Sequence, residues 1–127
     1  MNWWSIRIDP LPLPQRLIAQ PHDRGGPVGR SYRLWLPLIA DGRISIPLFR
    51  AEPARARIVS LGQDANCQGG RIALRDHQWF CLWPVPAAPG MADWRIVGAR
   101  FAAGEIVGLR PLRGRIALYR VNERTVA

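Results

Sequence analysis

The chain has 127 residues, 48% of them hydrophobic, and its eighteen basic side chains against nine acidic ones give a formal net charge of +9. That length suits one domain whose core needs neither disulfide nor metal, and the composition excludes wholesale disorder. Every basic residue is arginine, and the absence of lysine excludes Schiff-base catalysis and a Walker-type phosphate loop.

At the N-terminus, Trp4 to Ile8 reads as a short strand. Met1–Asp9 lacks the apolar run of a signal peptide, and no stretch of the chain approaches the ~20 apolar residues that span a bilayer. The expectation is therefore a cytoplasmic protein with no membrane span, with a virion as the other location. Pro10 to Pro14 predicts a stiff extended arm, and His22 to Gly29 a surface loop. The run Ser31–Ile39, the turn Ala40-Asp41-Gly42-Arg43 and the run Ile44–Phe49 predict a hairpin. Pro37 and Pro47 each remove a ladder donor, which predicts edge or bulged strands there.

Further strands are expected over Arg57–Leu61, Arg71–Arg75 and Trp79–Trp83. The stretch from Arg71 to Trp83 contains neither Gly nor Pro, so a short helix is the alternative. A proline-rich surface loop follows over residues 84–92. Trp94–Phe101 and Ile106–Leu109 flank a turn at Ala102–Glu105, and a turn at Leu112-Arg113-Gly114 leads into a last strand, Arg115–Val121. Twelve prolines and twelve glycines leave little room for helix. The whole predicts a single all-β domain over 1–127, a small barrel or sandwich of about 7–10 short hairpin-connected strands.

Gly70-Arg71-Ile72-Ala73-Leu74 recurs as Gly114-Arg115-Ile116-Ala117-Leu118, and Gly42-Arg43-Ile44-Ser45-Ile46 is close. The ordinary reading is a turn glycine, a solvent-facing arginine and Ile/Leu entering the core. The functional reading is a set of equivalent arginines forming one basic rim.

Signals for catalysis are sparse. His22, Cys67, His77 and Cys81 supply zinc-type ligands, yet only His77 and Cys81 lie close in sequence and no paired-ligand spacing occurs. Cys67 with His77 is the one nucleophile–base combination, and no family signature surrounds it. The acids are scattered singly, several in turns. The expectation is a non-enzyme without cofactor or metal.

Arginine and tryptophan are the more informative residues. The guanidinium fork binds phosphate or carboxylate, and six tryptophans exceed what a small core needs, so some would serve as stacking or anchor groups. The residues singled out for an anionic partner are Arg71, Arg75, Arg113 and Arg115 on strand rims, with Trp79, Trp83 and Trp94 beside them. Nucleic acid ranks ahead of an acidic protein surface as that partner. A homo-oligomer or a structural subunit of a phage-type or mobile-element assembly is the competing reading. Arginine coding bias is the bland one; it predicts guanidinium groups spread evenly and neutralised one by one.

Overall fold

The computed structural model describes residues 2–12, 30–61, 69–83, 93–98, 100–111 and 115–127. Eight strands form one closed antiparallel barrel in simple sequence order: β1 Asn2–Pro10, β2 Ser31–Leu38, β3 Arg57–Leu61, β4 Gly69–Arg75, β5 Gln78–Leu82, β6 Asp93–Val97, β7 Ile106–Pro111 and β8 Ala117–Val126. Each strand pairs with the next, and β8 closes onto β1. No helix is long and apolar enough to cross a membrane, among the described residues. The single all-β barrel agrees with the sequence expectation.

Alternation builds the interior. Ile6 and Ile8, then Tyr32, Leu34, Leu36 and Leu38, then Ile58, Ile72, Cys81, Trp94 and Ile96, then Val107, Leu109, Tyr119 and Val121 all point inward and are buried. Eight strands leave a lumen that side chains can fill. Four aromatic rings occupy part of it. Tyr32 lies 5.7 Å from Trp94 and 5.8 Å from Tyr119, both edge-on, and Trp83 packs 4.9 Å from Trp94.

Two local readings are corrected. The segment after Gly42 does not return as a strand: Leu38 and Ile44 form an isolated bridge, and α1 then runs from Ile46 to Ala51. The cause is local. The Ser45 hydroxyl accepts the Leu48 N–H at 3.3 Å, and Pro47 sits in the first helical turn, where no backbone donor is needed. Pro37 does lie within β2, but beyond the Ser31–Trp35 stretch that pairs with β3, so its missing N–H weakens no β2–β3 ladder bond. A closed barrel has no edge strand for it to occupy.

The stretch from Arg71 to Trp83 is a tight hairpin. Asp76 and His77, both with positive φ (50° and 63°), form its two-residue turn between β4 and β5. The expected strands at Arg57–Leu61 and Arg71–Arg75 stand where the pattern put them. The first strand reaches Pro10, and the last extends to Val126.

Candidate anion-binding surface

Strand alternation sends every second residue outward, and register then decides which outward residues meet. On the outer wall, Trp35 of β2 is opposite Arg57 of β3, which is opposite Arg71 of β4. Farther round, Phe80 of β5 is opposite Arg95 of β6, which is opposite Arg110 of β7. Two arginine pairs therefore face each other directly across neighbouring strands. Like charges in that position destabilise a sheet by about 0.2–1 kcal/mol. No ion pair relieves Arg57, Arg71, Arg95 or Arg110 among the described residues.

Elsewhere, five of the acids are paired with arginine. Asp9 pairs with Arg7 at 3.1 Å, Glu123 with Arg33 at 3.6 Å, Asp41 with Arg43 at 3.4 Å and Glu52 with Arg55 at 3.7 Å. Asp93 pairs with Arg75 at 3.6 Å. The arginines thus divide into a neutralised set and a bare set, and the bare pairs lie on β3–β4 and β6–β7.

The β6–β7 pair of the bare set lines concave surface. Arg95, Arg110 and Arg115, with Val97 and Ile116, bound an open groove of about 540 Å³. A smaller depression of about 190 Å³ continues from it, lined by Phe80, Asp93, Arg95, Arg110 and Pro111. Gly108 shapes the groove floor: a β-carbon there would meet Ile116 Cδ1 at 2.5 Å, so the bare backbone lets Ile116 lie flat across β7. At the other end of the band, the Arg57 guanidinium lies 4.5 Å over the Trp35 ring.

The residues singled out from sequence separate. Arg71 and Arg115 are exposed and form no ion pair among the described residues, while Arg75 is exposed but held by Asp93. Arg113 lies outside the described residues. Trp83 and Trp94 are buried in the lumen at 6% and 1% exposure, so neither offers a surface ring as expected. Trp79 is half-buried and meets α1, its ring edge-on to Phe49 at 4.8 Å. The cause is strand parity: positions 79 and 81 share the inward side of β5, Trp83 follows the strand in the same phase, and Trp94 is inward on β6. The Nε1 donors of Trp83 and Trp94 are buried with no acceptor among the described residues. Sequence reading missed Arg57, Arg95 and Arg110, whose importance comes from cross-strand register.

The repeated pentapeptide adopts opposite phases. Ile72 points into the core, whereas Ile116 and Leu118 face solvent at 42% and 41% exposure and Ala117 points in. As for the cysteine and histidine candidates, Cys67 and His22 lie outside the described residues. Cys81 is a free thiol buried in the lumen, and burial pushes it up to about 12. His77 is exposed at the hairpin tip, so it and Cys81 do not converge. The Pro-rich loop at 84–92 and residues 13–14 of the arm also lie outside the described residues.

Comparison with protein families, with curated proteins and with solved structures finds no match to this chain.

Proposed function

We propose that this barrel is a non-catalytic binding module for nucleic acid, held along a band of outward arginines from Arg57 through Arg71 and Arg95 to Arg110. The observation that carries the reading is the pair of register-opposed arginine couples, none of whose members forms an ion pair among the described residues. A phosphate between two guanidinium groups accepts bidentate hydrogen bonds from each and turns their repulsion into attraction. At roughly 4.8 Å between strands, four strand steps carry the band over about 19 Å, enough for several consecutive phosphates. Trp35 beneath Arg57 and Phe80 beside Arg95 add aromatic surface of the kind that accompanies single-strand binding.

Fluorescence anisotropy with labelled single-stranded and duplex oligonucleotides tests this. Four phosphate contacts predict a slope of log K against log salt of about −3 for a single strand. Replacing Arg57, Arg71, Arg95 and Arg110 by alanine together should flatten that slope. No binding at low ionic strength, or binding unchanged in the fourfold variant, overturns the reading.

A further inference from the structure

The outer wall of β7 and β8, next to the arginine band, carries a different chemistry. Ile106, Ile116 and Leu118 point outward and are 49%, 42% and 41% exposed, an unusual concentration of large aliphatic groups on a barrel exterior. Register brings them together: Leu118 is opposite Gly108, whose other neighbour is Val97, and Ile106 is opposite Arg120. Arginines surround this centre: Arg95, Arg110 and Arg115 at the groove and Arg120 at the far end. Four arginines outnumber the acids nearby in register or sequence. Asp9, opposite Arg120 on β1, is taken up by Arg7, Ser31 and Asn122, Asp93 beside Arg95 and Arg110 is paired with Arg75, and Glu105 precedes Ile106 in the turn.

We propose that this face is a docking surface for a partner protein that presents an aliphatic knob flanked by acidic residues. An apolar centre within a charged rim is the anatomy of a protein interface, where arginine is also enriched. The charge of the rim selects the occupant. A second copy of this chain would set arginine against arginine, whereas an acidic partner is electrostatically complementary. The aliphatic centre has no π-face, so unpaired bases gain little by lying on it. This surface goes beyond the nucleic-acid reading and fails or stands separately from it.

The test uses the intact chain and a fluorescein-labelled synthetic peptide alternating leucine and glutamate, with a serine–glutamate peptide of equal charge as its control. The leucine peptide should bind at least about tenfold more tightly than the control, which corresponds to about 1.4 kcal/mol. The double variant Ile106→Thr, Leu118→Thr keeps strand-compatible side chains. It should lose about tenfold in peptide affinity while its oligonucleotide affinity stays unchanged. The Arg57→Ala, Arg71→Ala variant should show the converse. Equal affinity for both peptides, or an unaffected double variant, overturns the proposal. So does a concentration-dependent dimer in sedimentation that the double variant abolishes, which assigns the face to self-association. Capture by phosphatidylserine-containing vesicles that depends on Leu118 likewise overturns it, in favour of a membrane surface.

Discussion

Arg95 and Arg110 are register partners across β6 and β7, and neither forms an ion pair among the described residues; Asp93, in the same depression, is paired with Arg75. Within a free barrel this contact is repulsive, so it contributes to stability and to anion affinity with opposite signs. The same residues therefore allow the two quantities to be moved apart.

Arg110→Glu should convert the opposed pair into a cross-strand ion pair with Arg95. Stability should rise by about 0.2–1 kcal/mol while oligonucleotide affinity falls, because one phosphate contact is lost and a repulsive charge is added. Thermal melting and anisotropy on the same sample check both directions. A variant that loses stability as well as affinity would show that Arg110 supports the fold.

The β4–β5 hairpin turns on Asp76 and His77, each in the left-handed region. A two-residue turn with positive φ at both positions prefers Asn-Gly, and an L side chain such as histidine is strained there. His77→Gly should therefore raise stability by about 0.5–1 kcal/mol after allowing for the greater freedom of glycine in the unfolded chain. The shift in melting temperature is a few degrees for a domain of this size. Asp76→Gly should gain less, since the short aspartate side chain can hydrogen-bond locally in this conformation.

Strand identity was legible in this sequence, and strand phase only partly. Arg57–Leu61 is bounded as its alternation implies, and the strand expected over Arg71–Arg75 begins two residues earlier, at Gly69. Cys81 was readable as a core residue between Phe80 and Leu82, and the same period of two puts Trp79 and Trp83 on its side of β5. Counting tryptophans as surplus to the core hid that parity. Register was less accessible. A tight turn at Ala102–Glu105 would put Val97 opposite Arg110; instead Val97 pairs with Gly108. The reason is that the chain between β6 and β7 does more than turn. Phe101 enters the core, and Arg100 bridges to Arg43. No local propensity encodes that tertiary contact, so the Arg95–Arg110 pair could not be read from spacing. Likewise Ser45, spaced like a strand residue, became a helix cap because its hydroxyl found the Leu48 N–H.

Two strand glycines should respond differently to alanine. At Gly70, which faces inward, a β-carbon would stand 2.8 Å from the Leu82 carbonyl oxygen and 3.0 Å from the Trp83 ring. Backbone cannot yield cheaply, so Gly70→Ala should cost about 1–3 kcal/mol. At Gly108 the obstruction is the end of the Ile116 side chain, which can swing outward. Gly108→Ala should be near neutral in stability, with the gain in strand propensity offsetting the lost Ile116 packing. Chemical denaturation of both variants makes the comparison, and equal costs would contradict the geometry.

Alkaline conditions should unfold the barrel through its lumen. Burial pushes the Cys81 thiol up to about 12 from an ordinary value of 9.0. Burial likewise raises Tyr32 and Tyr119 above their ordinary 10.0; at Tyr32 the Arg30 charge opposes this and Cys81 adds a smaller upward contribution, and at Tyr119 Tyr32 adds one. A group whose folded pKa lies above its unfolded value contributes stability fully below the unfolded pKa and loses it as pH rises toward the folded one. The urea midpoint should therefore be independent of these groups near neutrality. It should decline from about pH 9 as the Cys81 contribution is lost, and more steeply above about pH 10 when the tyrosines join. In a Cys67→Ser background, a thiol reagent at pH 7 should react with Cys81 only at the rate of unfolding.

Acid should act through Asp9, where β1, β2 and β8 are tied together. Burial raises its carboxyl pKa, but hydrogen bonds from Ser31, Asn122 and Arg7, with the charge of Arg7, outweigh that and hold it below the ordinary 3.8. The donors come from three strands: Ser31 from β2, Asn122 Nδ2 from β8 at 2.7 Å, and Arg7 Nε from β1 itself at 3.1 Å. The sign here is opposite to that of the lumen groups. A depressed folded pKa gives stability that is present above the unfolded value and lost as pH falls through the folded one. Wild-type stability should thus hold from neutrality down to about pH 4 and drop below it. Asp9→Asn keeps an acceptor for Ser31 but removes the charge facing Arg7. It should be less stable at pH 7 and show a shallower loss in acid, so that the gap between the two stability curves narrows as pH falls below about 4. Parallel curves would mean that Asp9 is not the group through which acid loosens the seam between β1 and β8.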